Sequence, residues 1–185
     1  PATGEKIAEI PSSTTADIKT AVAGARAAQP EWGALPVEER AVWLDSIASA
    51  LEARSDEIAE LESKDTGKPV ALAREVDAAR SALNFRFFAK LVRELPDEQY
   101  KMEDALNVVV RKPVGVAGLI TPWNLPLYLL SWKVAPAILM GNCVVCKPSR
   151  LTPLTANLLA EVVTEVGLPP GVVNLVHGSG SKCGQ

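Results

Sequence analysis

Apolar residues recur along this chain in two rhythms, and the change of rhythm divides it. In the first stretch they fall three and four apart. Ile18, Val22 and Ala25 follow the capping pattern Thr14-x-x-Asp17, which predicts a first helix that ends at Pro30. Pro36 opens a long second helix with Leu44, Ile47, Leu51, Ile58 and Leu61 on one face. Glu38, Glu39, Glu52, Asp56 and Glu60 occupy its other faces, as acidic residues on a solvated surface do. Asp65-Thr66-Gly67-Lys68-Pro69 stops that helix, the glycine supplying a left-handed turn and the proline barring continuation. A third helix carries the stripe Leu72, Val76, Ala79, Leu83, Phe87 and Leu91 and ends near Leu95-Pro96.

Between Tyr100 and Lys112 the period shortens, and the β-branched run Asn107 to Val110 predicts a strand, one arm of a ribbon. Beyond Pro113 the pattern becomes strand Val114 to Ile120, helix Leu125 to Leu139, strand Cys143 to Cys146, helix Thr155 to Val166 and strand Val172 to Val176. These strands are almost continuously apolar, which suits burial on both faces of a parallel sheet. The expected class is α/β: N-terminal helices plus the first half of a Rossmann-like parallel sheet, with a β-ribbon. It divides into helices over 1–98, ribbon over 99–113 and an incomplete sheet core over 114–185. Three parallel strands are half of a doubly wound sheet and leave a hydrophobic edge unpaired. Together with a start at Pro1 rather than Met, this leads us to expect a piece of something longer.

Composition narrows the function classes. The 185 residues are 48% hydrophobic and 22% charged, with a formal charge of −3, so nothing favours nucleic acid or an anionic membrane surface as partner. The longest apolar stretch, Leu125 to Met140, is interrupted by Pro126, Lys133 and Pro136 and falls short of the roughly 18 residues a membrane span needs. Three cysteines, an odd number, without a signal-like start fit a reducing cytoplasmic setting.

Chemistry is expected just past each parallel strand, where such sheets form a nucleotide-sized crevice. Thr121-Pro122-Trp123-Asn124 follows the first strand, and flanking prolines hold Asn124 at a sharp turn. Its amide can donate to a developing oxyanion or cap the next helix; spacing alone favours the cap. Lys147 ends the second strand, where an ammonium reaches a ribose hydroxyl or a phosphate, against the blander reading of a solvated lysine. Arg150, three residues on, strengthens the phosphate reading. Gly178-Ser179-Gly180-Ser181-Lys182-Cys183-Gly184 follows the third strand but has one residue too many for GxGxxG, and no helix is expected after it. Cys143 and Cys146 lie within a strand and read as buried thiols; Cys183 has no base nearby. His177 is the single histidine, which discounts triad and His-metal schemes, and no metal site is expected. Trp32, Trp43 and Trp132 read as core or interhelix packing.

Asp65-Thr66-Gly67-Lys68-Pro69, Pro113-Val114-Gly115-Val116, Thr121-Pro122-Trp123-Asn124, Trp132-Lys133, Gly141-Asn142, Lys147-Pro148-Ser149 and Gly167-Leu168-Pro169-Pro170-Gly171-Val172 together resemble the aldehyde dehydrogenase superfamily. The resemblance runs from Pro1 to the last residue. Arg80 to Phe88 and Asn124 to Leu130 resemble most the branch acting on 2-aminomuconic or 2-hydroxymuconic semialdehyde. It implies oxidation of an aldehyde to an acid through a thioester on a cysteine, with a glutamate activating water. Both of those residues are expected beyond Gln185, so the chain alone is expected to be inactive. Asn124 matches the oxyanion donor and Lys133 a lysine beside the catalytic channel. Ile120, Thr121, Pro122, Trp123, Lys147, Ser149, Gly180 and Gly184 match positions lining the NAD cofactor. Arg80 matches an arginine that holds the substrate carboxylate. Arg150 stands where the family usually has a glutamate that accepts from the adenosine ribose, so it joins the cofactor set and NADP is admitted beside NAD. The resemblance also implies a small-molecule semialdehyde as substrate and a homo-oligomer in which the ribbon takes part. A rival from another class is a non-catalytic truncated binding or assembly module.

Overall fold

Local chemistry sets the helix boundaries, in several places differently from the hydropathy pattern. In this computed structural model, which describes residues 1–95 and 98–183, the Asp17 carboxylate accepts from the Thr14 amide at 2.7 Å and the Asp17 amide donates back to the Thr14 hydroxyl at 3.3 Å. That capping box opens α1 (Thr15–Ala34), which continues through Pro30 instead of ending there. Trp32 is buried beyond the proline and its indole N–H donates to the Ile138 carbonyl at 2.8 Å, an anchor that keeps the last turn helical.

The expected single helix after Pro36 is two, α2 (Val37–Ala53) and α3 (Ser55–Thr66), broken at Arg54. The Arg54 guanidinium is held at the break by Glu57 at 2.7 Å, Glu161 at 2.8 Å and Glu165 at 3.3 Å. Leu44, Ile47, Leu51 and Ile58 are buried as expected, and the five acidic positions of the outer faces are exposed. Gly67, at φ 80°, ends α3 in the left-handed turn that its sequence announces.

The third helix is composite: α4 (Val70–Leu72), a π-turn over Ala73–Ala78, then α5 (Ala79–Glu94). Pro96 lies outside the described residues. The buried face of this composite helix is not the expected stripe. Ala73, Asp77, Ala78, Ser81, Ala82, Phe85 and Ala89 turn inward, while Leu72, Leu83 and Phe87 are exposed. Small side chains on that face let α5 approach α2 and α6 closely, and close approach decides the face over side-chain size.

The ribbon forms as β1 (Gln99–Lys101) and β2 (Leu106–Val108), antiparallel, with Val109 and Val110 beyond the paired register. The sheet follows as β3 (Val116–Ile120), α6 (Pro126–Leu139), β4 (Cys143–Lys147), α7 (Leu154–Glu165) and β5 (Val173–Leu175), all parallel in the order β3-β4-β5. Cys143 to Cys146 are buried without alternation, so helices cover both faces of the central strand. α1 packs on all three strands, α6 on β3 and β4, and α7 on β5. The Asn84 carboxamide on α5 locks α6, donating to the Tyr128 carbonyl at 3.2 Å and the Ser131 hydroxyl at 2.9 Å. Trp132, expected inside, is 49% exposed on the outer side of α6, against Tyr128. Among the described residues no helix is long and apolar enough to cross a membrane.

Candidate functional site

The register of β3 and β4 fixes where their loops leave the sheet. Ile120 pairs with Lys147, and one step further the Thr121 amide donates to the Lys147 carbonyl at 3.2 Å. Val176, just past β5, donates to the Cys146 carbonyl at 2.9 Å, so the third loop leaves at the same end. Between these loops lies an open groove of about 480 Å³. Thr121, Pro122, Lys147, Ser149, Arg150 and Gly180 line it, six of the positions expected to face a cofactor, with Gly178, Ser179 and Ser181. Ile120, the last residue of β3, and Trp123, on the first loop, are 58% and 60% exposed and are not among the lining residues. Gly184 lies outside the described residues.

The groove offers both donors and an unfilled hydroxyl. Lys147 is half-buried, and its ammonium donates to the Pro148 carbonyl at 3.0 Å, leaving two N–H groups uncommitted. The Ser149 hydroxyl accepts from the Leu151 amide at 3.2 Å, which shapes the turn. Thr121 is buried, and its hydroxyl has no partner. Thr121 lines the groove while its hydroxyl is buried without a partner, and an unpaired buried hydroxyl on a lining residue fits a ligand that supplies a partner. Gly178 has φ 155°, and a Cβ there would meet the Cys183 Sγ at 2.4 Å, so the close return of the loop requires glycine. A short helix, α8 (Gly180–Cys183), begins at Gly180, contrary to the expectation that no helix follows the glycine loop.

Two positions expected to be catalytic lie at the same end of the sheet but outside the groove lining. Asn124 is exposed, and its carboxamide makes no hydrogen bond among the described residues. The residue capping α6 is Leu125, with Pro126 as the first helical residue, so the capping alternative for Asn124 does not hold. A proline at that position already fixes the helical φ and removes one of the N–H groups that have no partner within the helix. The Lys133 ammonium, from α6, donates to the Ile120 carbonyl at 2.5 Å, tying the helix to the strand end. The Thr152 hydroxyl donates to the Trp123 carbonyl at 3.5 Å and links the first two loops. Arg80 is exposed on α5, one turn before Asn84 and away from the groove, with no ion pair among the described residues.

The thiols and the histidine form no nucleophilic pair here. Burial pushes Cys143 up to about 11 and Cys146 up to about 12, so both stay protonated. Cys183 Sγ faces the carbonyls of His177, at 3.6 Å, and Ser13, at 3.9 Å, rather than a base. His177 bonds Asn157 at 2.9 Å through Nε2, and burial, with Lys147 adding to it, holds its imidazole below the usual range.

The family model described as Aldehyde dehydrogenase family matches residues 1–185. The chain belongs to the aldehyde dehydrogenase family. It is 47% identical to a 2-aminomuconic semialdehyde dehydrogenase of Danio rerio, over 100% of this chain and 38% of that protein. To the 2-hydroxymuconic semialdehyde dehydrogenase of Pseudomonas sp. (strain CF600) it is also 47% identical, over 97% of this chain and 38% of the relative. A crystal structure of an indole-3-acetaldehyde dehydrogenase complexed with NAD+ superposes with TM-score 0.95 at 37% identity, covering 100% of this chain and 38% of the other. The chain thus spans well under half the length of the aldehyde dehydrogenases it matches.

The sequence reading missed Thr121's orphaned hydroxyl and the buried carboxyl of Glu62, because burial of a polar group follows from packing that periodicity does not encode. Ser179 and Ser181 were legible as parts of the glycine loop, though not as groove lining.

Proposed function

We propose that this chain is the N-terminal portion of an NAD-dependent aldehyde dehydrogenase that oxidises a carboxylate-bearing semialdehyde to an acid. The observation that carries the reading is the convergence of Thr121, Lys147, Ser149 and Arg150 on one groove at the ends of β3 and β4, with Asn124 on the adjoining loop. The uncommitted Lys147 donors and the Ser149 hydroxyl hold the adenosine ribose, and the Thr121 hydroxyl gains its partner from the dinucleotide. NAD, when bound, supplies the two-electron acceptor. Asn124 donates its carboxamide to the aldehyde oxygen as charge develops there, and Lys133 keeps the end of β3 and its loop in place. The nucleophilic cysteine and general-base glutamate belong to sequence beyond Gln185. Arg80 is assigned to the substrate carboxylate, which the muconic relatives' names support and which suits an exposed, unpaired guanidinium. Arg150 offers a cation where a ribose acceptor would favour NAD, so NADP is taken with less discrimination than is usual.

Exposed Leu106, Val108 and Val110 on and after β2 make the ribbon an association surface for a homo-oligomer. Three free cysteines fit the cytoplasm.

The test is NAD reduction by the natural protein carrying this chain, with 2-hydroxymuconic semialdehyde. Replacing Asn124 by Ala is expected to lower kcat by about 10²- to 10³-fold while leaving NAD affinity unchanged. Absence of both NAD binding and aldehyde oxidation would overturn the proposal.

A further inference from the structure

The segment after β5 is tied down at one residue. The His177 amide donates to the Ser13 hydroxyl at 3.0 Å, and the His177 carbonyl accepts from the Ser13 amide at 2.7 Å. Its side chain reaches α7, where Nε2 lies 2.9 Å from the Asn157 carboxamide oxygen. His177 thus joins the segment before α1, helix α7 and the turn that follows it. That turn is Gly178, Ser179, Gly180 and Ser181, and all four line the groove. Among the described residues, every hydrogen bond of these four stays within 178–183: Ser179 and Ser181 bond each other at 3.0 Å, and the Ser179 carbonyl accepts from the amides of Lys182 and Cys183. On the far side the Cys183 thiol offers only weak contacts, to the carbonyls of His177 at 3.6 Å and Ser13 at 3.9 Å. The frame of the turn therefore comes from His177.

The ring is suited to one protonation state. Because Nε2 faces a carboxamide oxygen it carries the proton, and Nδ1 is a bare acceptor, buried without a partner. A second proton, on Nδ1, would make a buried cationic N–H with no acceptor. The charged groups around it share its sign. Lys147, at the end of β4, opposes the charge, and Arg150 and Lys182 line the same cavity as His177, where no carboxylate is found among the described residues. On α7, Glu161, one turn beyond Asn157, is held by Arg54 at 2.8 Å. We propose that His177 is a positioning residue for the cofactor: its neutral imidazole, fixed on Asn157, and its backbone, fixed on Ser13, hold the turn from Gly178 to Ser181 in the shape that lines the groove. The inference rests on the reading of the groove as the dinucleotide site.

The experiment is calorimetric titration with NAD at pH 8 and pH 5 of the natural protein and its His177→Ala and His177→Gln variants, with hydrogen exchange of 178–181 in the ligand-free proteins. At pH 8, His177→Ala is expected to weaken NAD by about fivefold, the weight of one hydrogen bond, and to speed exchange of the turn. His177→Gln offers Asn157 an amide N–H and should bring the affinity back to within about twofold of the unmodified protein. Acidification gives the readout that a merely structural role would not move. Burial, with Lys147 adding to it, holds the imidazole below its ordinary 6.5, so its grip is complete above that pH and is lost as pH falls through the lowered value. The unmodified protein should therefore lose NAD affinity from pH 8 to pH 5 by a larger factor than His177→Gln, whose amide takes up no proton. Affinity indifferent to His177→Ala, a loss in His177→Gln as great as in His177→Ala, or equal pH dependence of the unmodified and Gln proteins overturns the proposal. So does tighter binding at pH 5, the mark of an imidazolium that attracts the pyrophosphate instead. Should His177→Ala fail to fold, the comparison of the unmodified and Gln proteins across pH still decides. Failure of NAD to bind the unmodified protein at either pH is the separate failure of the groove reading, and exchange of the turn then tells whether His177 holds it.

Discussion

The amide of Thr121 donates to the carbonyl of Lys147 at 3.2 Å, one step beyond the last paired residues of β3 and β4. This bond extends the ladder past the sheet and pins the starts of two loops to each other. As a result Thr121 and Lys147 line one groove.

Lys147 is bound only to a backbone carbonyl, so its removal should spare the fold and harm the ligand. Lys147→Ala is expected to weaken NAD binding by about tenfold, as loss of a charge-assisted hydrogen bond does, with a melting temperature within about 2 °C of the unmodified protein. Fluorescence titration and calorimetry measure the two quantities. An unchanged NAD affinity would remove Lys147 from the site.

Thr121 makes a sharper distinction. Its hydroxyl is buried without a partner, an arrangement that costs about 1–3 kcal/mol. Thr121→Val should therefore leave the ligand-free protein equally or more stable, yet reduce the stabilisation that saturating NAD confers. Thermal melts with and without NAD read both effects at once. A variant that loses stability in the absence of NAD would show that the hydroxyl already has a partner.

Glu62 makes stability depend on pH. It is fully buried on α3 with both carboxylate oxygens unpartnered, and the Lys68 ammonium, 4.0 Å away, is shared with the buried Asp77. Burial pushes Glu62 up to about 7, outweighing the Thr155 hydroxyl, which acts in the opposite sense, and the charge of Asp77 adds to the rise. An unfolded chain releases this proton near its ordinary value of 4.5, whereas the folded protein keeps it until about 7. Between those values the unfolded state binds fewer protons, so stability falls as pH rises and levels off above 7, by up to about 3 kcal/mol. Glu62→Gln should flatten that slope when urea unfolding is compared at pH 5 and pH 8. Identical slopes in the two proteins would refute a protonated Glu62.

Much of the fold was legible because its signals are local. Gly67 and Pro69 end α3 wherever the chain is placed, and the unbroken apolar run Cys143 to Cys146 demands a doubly covered strand. The order of strands and the arrival of Lys147 and Ser149 at one sheet end follow from the parallel β-α-β alternation. What stayed hidden depends on partners distant in sequence. Pro30 remains helical because Trp32 reaches Ile138, and Arg54 breaks a helix at a point where carboxylates of α7 receive it. The face of α5 was misjudged because Ala78, Ala82 and Ala89 contribute little hydropathy but permit close helix approach, whereas Leu83 and Phe87 contribute much and remain exposed. At the site, residue types and their loops could be read, but not the freedom of Asn124 from its cap or the orphaned hydroxyl of Thr121. Both depend on backbone geometry near Leu125 and β4.

Hydrogen–deuterium exchange of the natural protein with and without NAD tests the central claim most directly. Protection on binding is expected at the amides of 121, 123, 147, 149–151 and 178–181, in the three segments that leave the same end of the sheet. Binding of NAD that protects other segments and leaves these three loops unchanged would contradict the account.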